Sequence, residues 1–205
     1  MIFVRHPLER LASAYADKIA SLKAEPFSLY DSVRRDVCRK YSQAYLTPAD
    51  QNAYRTNPFL DKLKSEPCEK IIPTFEHFVD YMLSGTAQVD VHWQPYSTIC
   101  DVCKIRYNFI GKYETIQDDL NYLKSKLGLN FTNWNVDNHF ATGKTKGNYK
   151  LMYSKLPDNL ICNLKNFYNE DAKLFDYRLD DYLMENQQKI NCPNQYYRRY
   201  RLVSH

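Results

Sequence analysis

The stretch that decides the fold is Phe3-Val4-Arg5-His6-Pro7-Leu8-Glu9-Arg10-Leu11-Ala12-Ser13-Ala14-Tyr15. Ile2 to Val4 form a short apolar run of the kind buried in a parallel sheet, and Pro7 suits the first turn of a helix, where its missing N–H costs nothing. Leu8, Leu11, Ala12, Tyr15, Ile19 and Leu22 recur at helical spacing, so the reading expects one helix as far as Leu22. A strand that turns directly into a helix delivers Arg5 to the carboxyl edge of the sheet, beside the free amides of the helix start. Ser13 stands eight residues later with a hydroxyl. A guanidinium fork, a hydroxyl and a helix start together suit a phosphate. The same residue types also serve as an ordinary ion pair at a strand end and a tolerated helical serine.

Outward from that stretch, the pattern alternates strands with helices, which argues for α/β layering. A second helix is expected over Leu29 to Tyr45 and a third after Pro73, with Gly85 as its stop. Residues 47 to 70, with three prolines and many polar residues, read as a surface excursion. Tyr107 to Ile110 reads as a strand. Thr115-x-x-Asp118 has the form of a capping box before a helix striped by Ile116, Leu120, Leu123 and Leu127 and ended by Gly128. Residues 131 to 149 read as a polar loop, and 157 to 182 as a last helical region.

The 205 residues suit a single domain over 1–205 with its own core, and no internal repeat interrupts them. Hydrophobic residues at 44% and aromatics at 15% argue against disorder. The net charge of +4 favours anionic partners without naming one. Nucleic-acid binding would call for a concentrated basic stripe, and Tyr196-Tyr197-Arg198-Arg199-Tyr200-Arg201 reads instead as a solvated tail. No apolar run approaches the roughly 20 residues of a membrane span. Six cysteines and the sequon Asn130-Phe131-Thr132 point to a secretory compartment and to glycosylation at Asn130. Cys100-x-x-Cys103 lacks the second Cys or His pair that zinc requires, so no metal is expected. It reads as a disulfide, either local or to another cysteine.

The opening stretch resembles the 3′-phosphate-binding motif of the membrane-bound Golgi carbohydrate sulfotransferases, the group that includes the HNK-1 and chondroitin/dermatan 4-O enzymes. Four later blocks, in order, extend the resemblance. They are Pro73-Thr74-Phe75-Glu76-His77-Phe78; His92-Trp93-Gln94-Pro95 with Cys100-Asp101-Val102-Cys103; Asn108-Phe109-Ile110-Gly111-Lys112-Tyr113-Glu114-Thr115; and Tyr168-Asn169-Glu170-Asp171 through Phe175-Asp176-Tyr177. Asp176 departs from the family pattern, which has Gly there.

The resemblance implies the P-loop-like α/β sulfotransferase fold, a parallel sheet flanked by helices. It implies PAPS (3′-phosphoadenosine 5′-phosphosulfate) as sulfate donor, a sugar hydroxyl of a glycan or proteoglycan as acceptor, and Arg5 and Ser13 as ligands of the donor's 3′-phosphate. It also implies a place in the Golgi, reached through an N-terminal membrane anchor that these residues do not include. The family's 5′-phosphosulfate loop precedes the 3′ motif, and the chain opens on the strand of that motif. The expectation is therefore a domain without its first strand and that loop, either truncated or a non-catalytic remnant that binds nucleotide or glycan. His92, beside Trp93, is a candidate base or acceptor-site residue, and the alternative is a packed structural pair. Lys144, Lys146 and Gly147 form a basic loop of the kind that closes over the 3′-phosphate in some sulfotransferases, or a merely solvated one.

Overall fold

In the computed structural model, β1 (Ile2–Val4) runs into α1 (Pro7–Ala14), which widens into a π turn over Tyr15–Ile19. Then come α2 (Leu29–Lys40), α3 (Ser42–Tyr45), α4 (Pro48–Thr56), α5 (Phe75–Leu83), α6 (Tyr96–Ile99), β2 (Ile110–Lys112) and α7 (Ile116–Leu127). The order closes with α8 (Lys146–Ser154), α9 (Asp158–Phe167), α10 (Asn169–Leu174), a 3-10 turn over Leu179–Tyr182, and α11 (Glu185–Gln188). The structure describes residues 1–21, 29–56, 67–85, 90–128 and 146–193. It is a helix-rich α/β arrangement with a small parallel sheet. The chain gathers into two units, Met1–Arg10 with Val91–His205, and Leu11–Asp90.

In the first unit β1 and β2 pair in parallel, with Ile2 opposite Ile110, Phe3 opposite Gly111 and Val4 opposite Lys112. A Cβ on Gly111 would lie 2.3 Å from the Phe3 ring, so only glycine lets that ring cross the neighbouring strand. Val4, Leu8, Trp93, Tyr153, Leu164 and Tyr168 are all fully buried and form the core. Two buried hydroxyls tie it together: Tyr153 donates to the Leu8 carbonyl at 2.6 Å, and Tyr168 to the Trp93 carbonyl at 2.6 Å. A disulfide joins Cys162 to Cys192.

The second unit packs Leu11, Ile19, Val33, Val37, Phe78 and Val79. The expected helix to Leu22 stops at Ala14 because tertiary bonds claim the residues after it. The Tyr15 hydroxyl donates to the Pro73 carbonyl at 2.6 Å, and its ring packs edge-on against Phe75 and tilted against Phe78. Buried Arg34 collects the carbonyls of Lys18, Ile19 and Ser21, which ends the turn. The second helix breaks at Tyr41, whose ring lies flat on His77 at 4.1 Å and whose hydroxyl donates to Asp80. The expected surface excursion contains α4, started by reciprocal bonds between Thr47 and Asp50. Thr74 caps α5 by accepting the His77 N–H at 3.2 Å, and Gly85 follows the helix at φ 74°. A disulfide joins Cys38 to Cys68 beside Leu46.

Other boundaries shift for physical reasons too. The strand is Ile110–Lys112, displaced towards the register that Phe3 and Gly111 set. The capping box at Thr115 and Asp118 does not form. Asp119 instead ties the strand end to the helix, accepting the Lys112 N–H at 2.7 Å and the Thr115 hydroxyl at 3.0 Å. Residues 146 to 149 belong to α8, because Tyr149, Tyr153 and Leu156 are buried at helical spacing. Among the described residues, no helix is long and apolar enough to cross a membrane.

Candidate functional site

β1 ends at Val4 and hands the chain to Arg5 and His6 before α1 begins at Pro7. The first helical bond runs from the Arg10 N–H to the His6 carbonyl at 2.9 Å. The His6 N–H, which the helix cannot satisfy, donates to Glu114 Oε1 at 2.7 Å. The His6 ring is buried between Tyr177 and Tyr182, and its Nε2–H donates to the Arg178 carbonyl at 3.0 Å. Burial pulls the imidazole below its usual pKa, so His6 is neutral.

Arg5 is gripped on two sides. Its Nη2 donates to Glu9 Oε1 at 3.0 Å, one helical turn on, and its guanidinium carbon sits 4.8 Å from the centre of the Tyr113 ring. The other oxygen of Glu9 accepts the Tyr182 hydroxyl. Burial alone would lower the Arg5 pKa, but the bond and charge of Glu9 outweigh it and raise it. The structural ion pair is therefore present. It does not exhaust the guanidinium, which has five N–H donors: Nε is buried and has no hydrogen-bond partner among the described residues.

Ser13 lies on the last turn of α1, partly buried, in the Leu11–Asp90 unit. His92 is partly buried on the turn before Trp93. The segment after it is held by backbone bonds from three buried side chains. Arg10 donates to the Gln94 carbonyl and covers the Tyr96 ring at 3.9 Å. Tyr168 holds the Trp93 carbonyl, and Asp171 accepts the N–H groups of Tyr96 and Ser97 at 2.7 and 2.8 Å.

The expected disulfide of Cys100 or Cys103 is corrected: both are free thiols. The chain turns sharply between them, with Asp101 at φ 45° and the Lys104 and Ile105 N–H groups folded back onto its carbonyl. Cys103 is left exposed, and Cys100 partly buried. The other four cysteines pair with each other. Lys146 and Gly147 stand in the first turn of α8 instead of a loop, while Lys144 and Asn130 lie outside the described residues. No group of three or more His, Cys, Asp or Glu suited to a metal ion occurs among the described residues.

Sequence reasoning passed over Glu9, Tyr113, Tyr182, Glu114 and Tyr177. Only Glu9 carried a local signal, an acid four residues after Arg5. The others arrive from 108 or more residues away.

The chain is 31% identical to human carbohydrate sulfotransferase 9 over 183 residues, covering 86% of this chain and 37% of that protein. It is 29% identical to mouse carbohydrate sulfotransferase 8 over 195 residues, covering 92% and 40%. Zebrafish carbohydrate sulfotransferase 11 is 28% identical over 189 residues, covering 89% and 47%. The chain thus spans less than half the length of these relatives. No solved structure matches it. Residues 1–178, including the Arg5 turn, the His92 segment and the Glu114 block, match the profile of the Sulfotransferase family, and the chain belongs to that family.

Proposed function

We propose that this chain is the 3′-phosphate-binding part of a carbohydrate sulfotransferase, which moves a sulfo group from PAPS to a sugar hydroxyl and releases adenosine 3′,5′-bisphosphate. The observation that carries the reading is the Arg5 guanidinium, held by Glu9 and Tyr113 at the turn from β1 into α1 and a charged donor that Glu9 does not exhaust. A phosphate suits that donor: a dianion takes a charge-assisted bond from the guanidinium and is favoured by the helix end. Ser13 adds a hydroxyl from the same helix. The fold, on this reading, is the P-loop-like sulfotransferase fold with PAPS as donor, and Lys144, Lys146 and Gly147 belong to its phosphate site.

His92 faces the acceptor as a base or binding group, and the acceptor is a glycan or proteoglycan. Two disulfides in the described residues support an oxidising compartment, which fits the Golgi lumen and a glycan at Asn130.

Calorimetric titration tests the reading. Adenosine 3′,5′-bisphosphate should bind far better than adenosine 5′-monophosphate, which lacks the 3′-phosphate. Arg5→Ala should cost roughly 1.5–3 kcal/mol of that binding, and Ser13→Ala about 1 kcal/mol. Arg5→Lys should restore only part, since an ammonium keeps the charge but loses the fork. Equal binding of the two nucleotides, with Arg5→Ala unchanged from the parent, would reduce Arg5 to its ion pair and overturn the reading.

A further inference from the structure

Glu9 poses a physical question, because a carboxylate 3.0 Å from Arg5 opposes, by charge alone, any phosphate that arrives on the same guanidinium. Its placement gives the answer. Glu9 is buried, with its two oxygens divided between Arg5 Nη2 and the Tyr182 hydroxyl. Tyr182 is itself buried at the end of the 3-10 turn, with its ring 4.4 Å from that of His6. His6 in turn is bonded to the Arg178 carbonyl of the residue that precedes the same turn. The Tyr182 hydroxyl therefore comes from a fixed point and fixes the carboxylate. The carboxylate claims part of the guanidinium and the Tyr113 ring covers one face, which leaves the donors that Glu9 does not take for a ligand. An arginine immobilised in this way has given up its rotamer freedom before any ligand arrives, so less is lost on binding.

We propose that Glu9 and Tyr182 are positioning residues for the 3′-phosphate: the chain Tyr182–Glu9–Arg5 holds the guanidinium in one orientation, so that the donors Glu9 does not take meet the anion. This rests on the nucleotide reading above, and it makes a claim of opposite sign to simple charge balance. If Glu9 only balanced charge, removing its charge would strengthen phosphate binding, and the Tyr182 hydroxyl would not matter. If it positions Arg5, losing the carboxylate, its reach or its anchor weakens recognition of the 3′-phosphate even where the local charge is unchanged.

The decisive quantity is the discrimination ratio, the affinity for adenosine 3′,5′-bisphosphate divided by that for adenosine 5′-monophosphate. It is measured by calorimetry for the parent chain, Tyr182→Phe, Glu9→Asp and Glu9→Gln. Tyr182→Phe and Glu9→Asp conserve charge but break the chain, and each should lower the ratio roughly threefold to tenfold. Glu9→Gln, which keeps the shape, should lower it as well. A merely structural role would reduce thermal stability and weaken both nucleotides alike, leaving the ratio unchanged, and that result overturns the inference. So does a ratio that rises in Glu9→Gln while Tyr182→Phe matches the parent. The ratio is read in every variant that melts cooperatively, and Tyr182→Phe, which removes one oxygen and keeps the ring, gives the mildest test. A parent chain that fails to discriminate is a separate result: it overturns the nucleotide reading itself and this inference with it.

Discussion

Glu114 reaches across 108 residues of sequence to accept the backbone N–H of His6 at 2.7 Å. Its other oxygen accepts the Tyr177 hydroxyl at 2.8 Å, and that hydroxyl lies 3.3 Å from the Val4 carbonyl. Burial, reinforced by the charge of Glu114, pushes the Tyr177 hydroxyl well above its usual pKa, so it stays a donor. The residues on either side of Arg5 are thus tied to one carboxylate–tyrosine pair. Glu114 does for α1 what the N3 acid of a capping box does locally, accepting the N–H of the residue before the helix, and its charge favours the positive end of the helix. Glu114→Ala should cost about 1–2 kcal/mol, read as a lower urea midpoint with an unchanged slope. Glu114→Gln should cost less, because an amide oxygen still accepts the His6 N–H. A Glu114→Ala variant as stable as the parent would show that the bond contributes nothing net.

Asp176 occupies a left-handed backbone position at φ 51°, just after α10, where the Tyr177 N–H bonds back to the Ala172 carbonyl at 2.9 Å. Glycine takes that conformation without strain, and Asp tolerates it better than most other residues. The departure from the family's Gly is therefore mild in energy. The expected order of thermal stability at this position is Gly first, then the parent Asp, Ala and Val. Asp176→Gly should gain only about 0.5 kcal/mol, because its extra freedom in the unfolded chain offsets part of the relief. Asp176→Val should lose about 1–2 kcal/mol. A variant series with Val at the top would remove the strain argument.

These two sites show which features are legible in the sequence. The strand-to-helix turn at Arg5 is readable because the apolar spacing and Pro7 are local. The parallel pairing of Phe3 with Gly111 is not, since parallel strands can be joined only through a long crossover and nothing local encodes the partner. Where local signals fail, composition masks them. Thr47-Pro48-Ala49-Asp50 is a helix start inside a polar stretch, and Tyr149, Tyr153 and Leu156 are a helical stripe after a run of Asn, Thr and Lys. The Tyr182 contact with Glu9 carries no sequence signal at all, because the hydroxyl comes from 173 residues away.

The cysteines give a chemical prediction. Each disulfide closes a span of 30 residues, which on loop-closure grounds is worth about 3–4 kcal/mol. Mild reduction should lower the melting temperature in two separable steps if the bonds differ in accessibility, and in one if they do not. Without reductant, iodoacetamide should label Cys103 first, since it is exposed. Cys100 should react more slowly, because burial raises its thiol pKa and reduces the reactive thiolate, with Arg10 opposing only in part. Peptide mapping should recover Cys38 with Cys68 and Cys162 with Cys192. A Cys100–Cys103 crosslinked peptide would contradict the free thiols of the structure.

His6 supplies a pH dependence whose sign is fixed by its surroundings. The ring is 3% exposed, its Nε2–H is bonded to the Arg178 carbonyl, and its Nδ1 is buried without a partner among the described residues. Burial lowers its pKa below the ordinary 6.5; the Arg178 carbonyl and the charges of Glu114, Asp181 and Glu9 oppose this without overcoming it. Protonation would create a second buried N–H with no acceptor and place a positive charge at the positive end of α1. Well above pH 6.5 the ring is neutral in both folded and unfolded chains, so it adds no slope. As the pH falls through 6.5, the unfolded chain takes up a proton that the folded chain does not, and folding weakens. One such group can contribute at most about 1.4 kcal/mol per pH unit, and its slope vanishes again below the folded pKa. Urea melts at several values between pH 7.5 and 5.5 should therefore show the parent losing stability faster than His6→Gln. That variant keeps an amide to donate to Arg178 but has no proton to take up. Comparing the two curves cancels titrations that both proteins share. Parallel curves would mean that His6 binds its proton equally well folded and unfolded, against the burial of its ring at the start of α1.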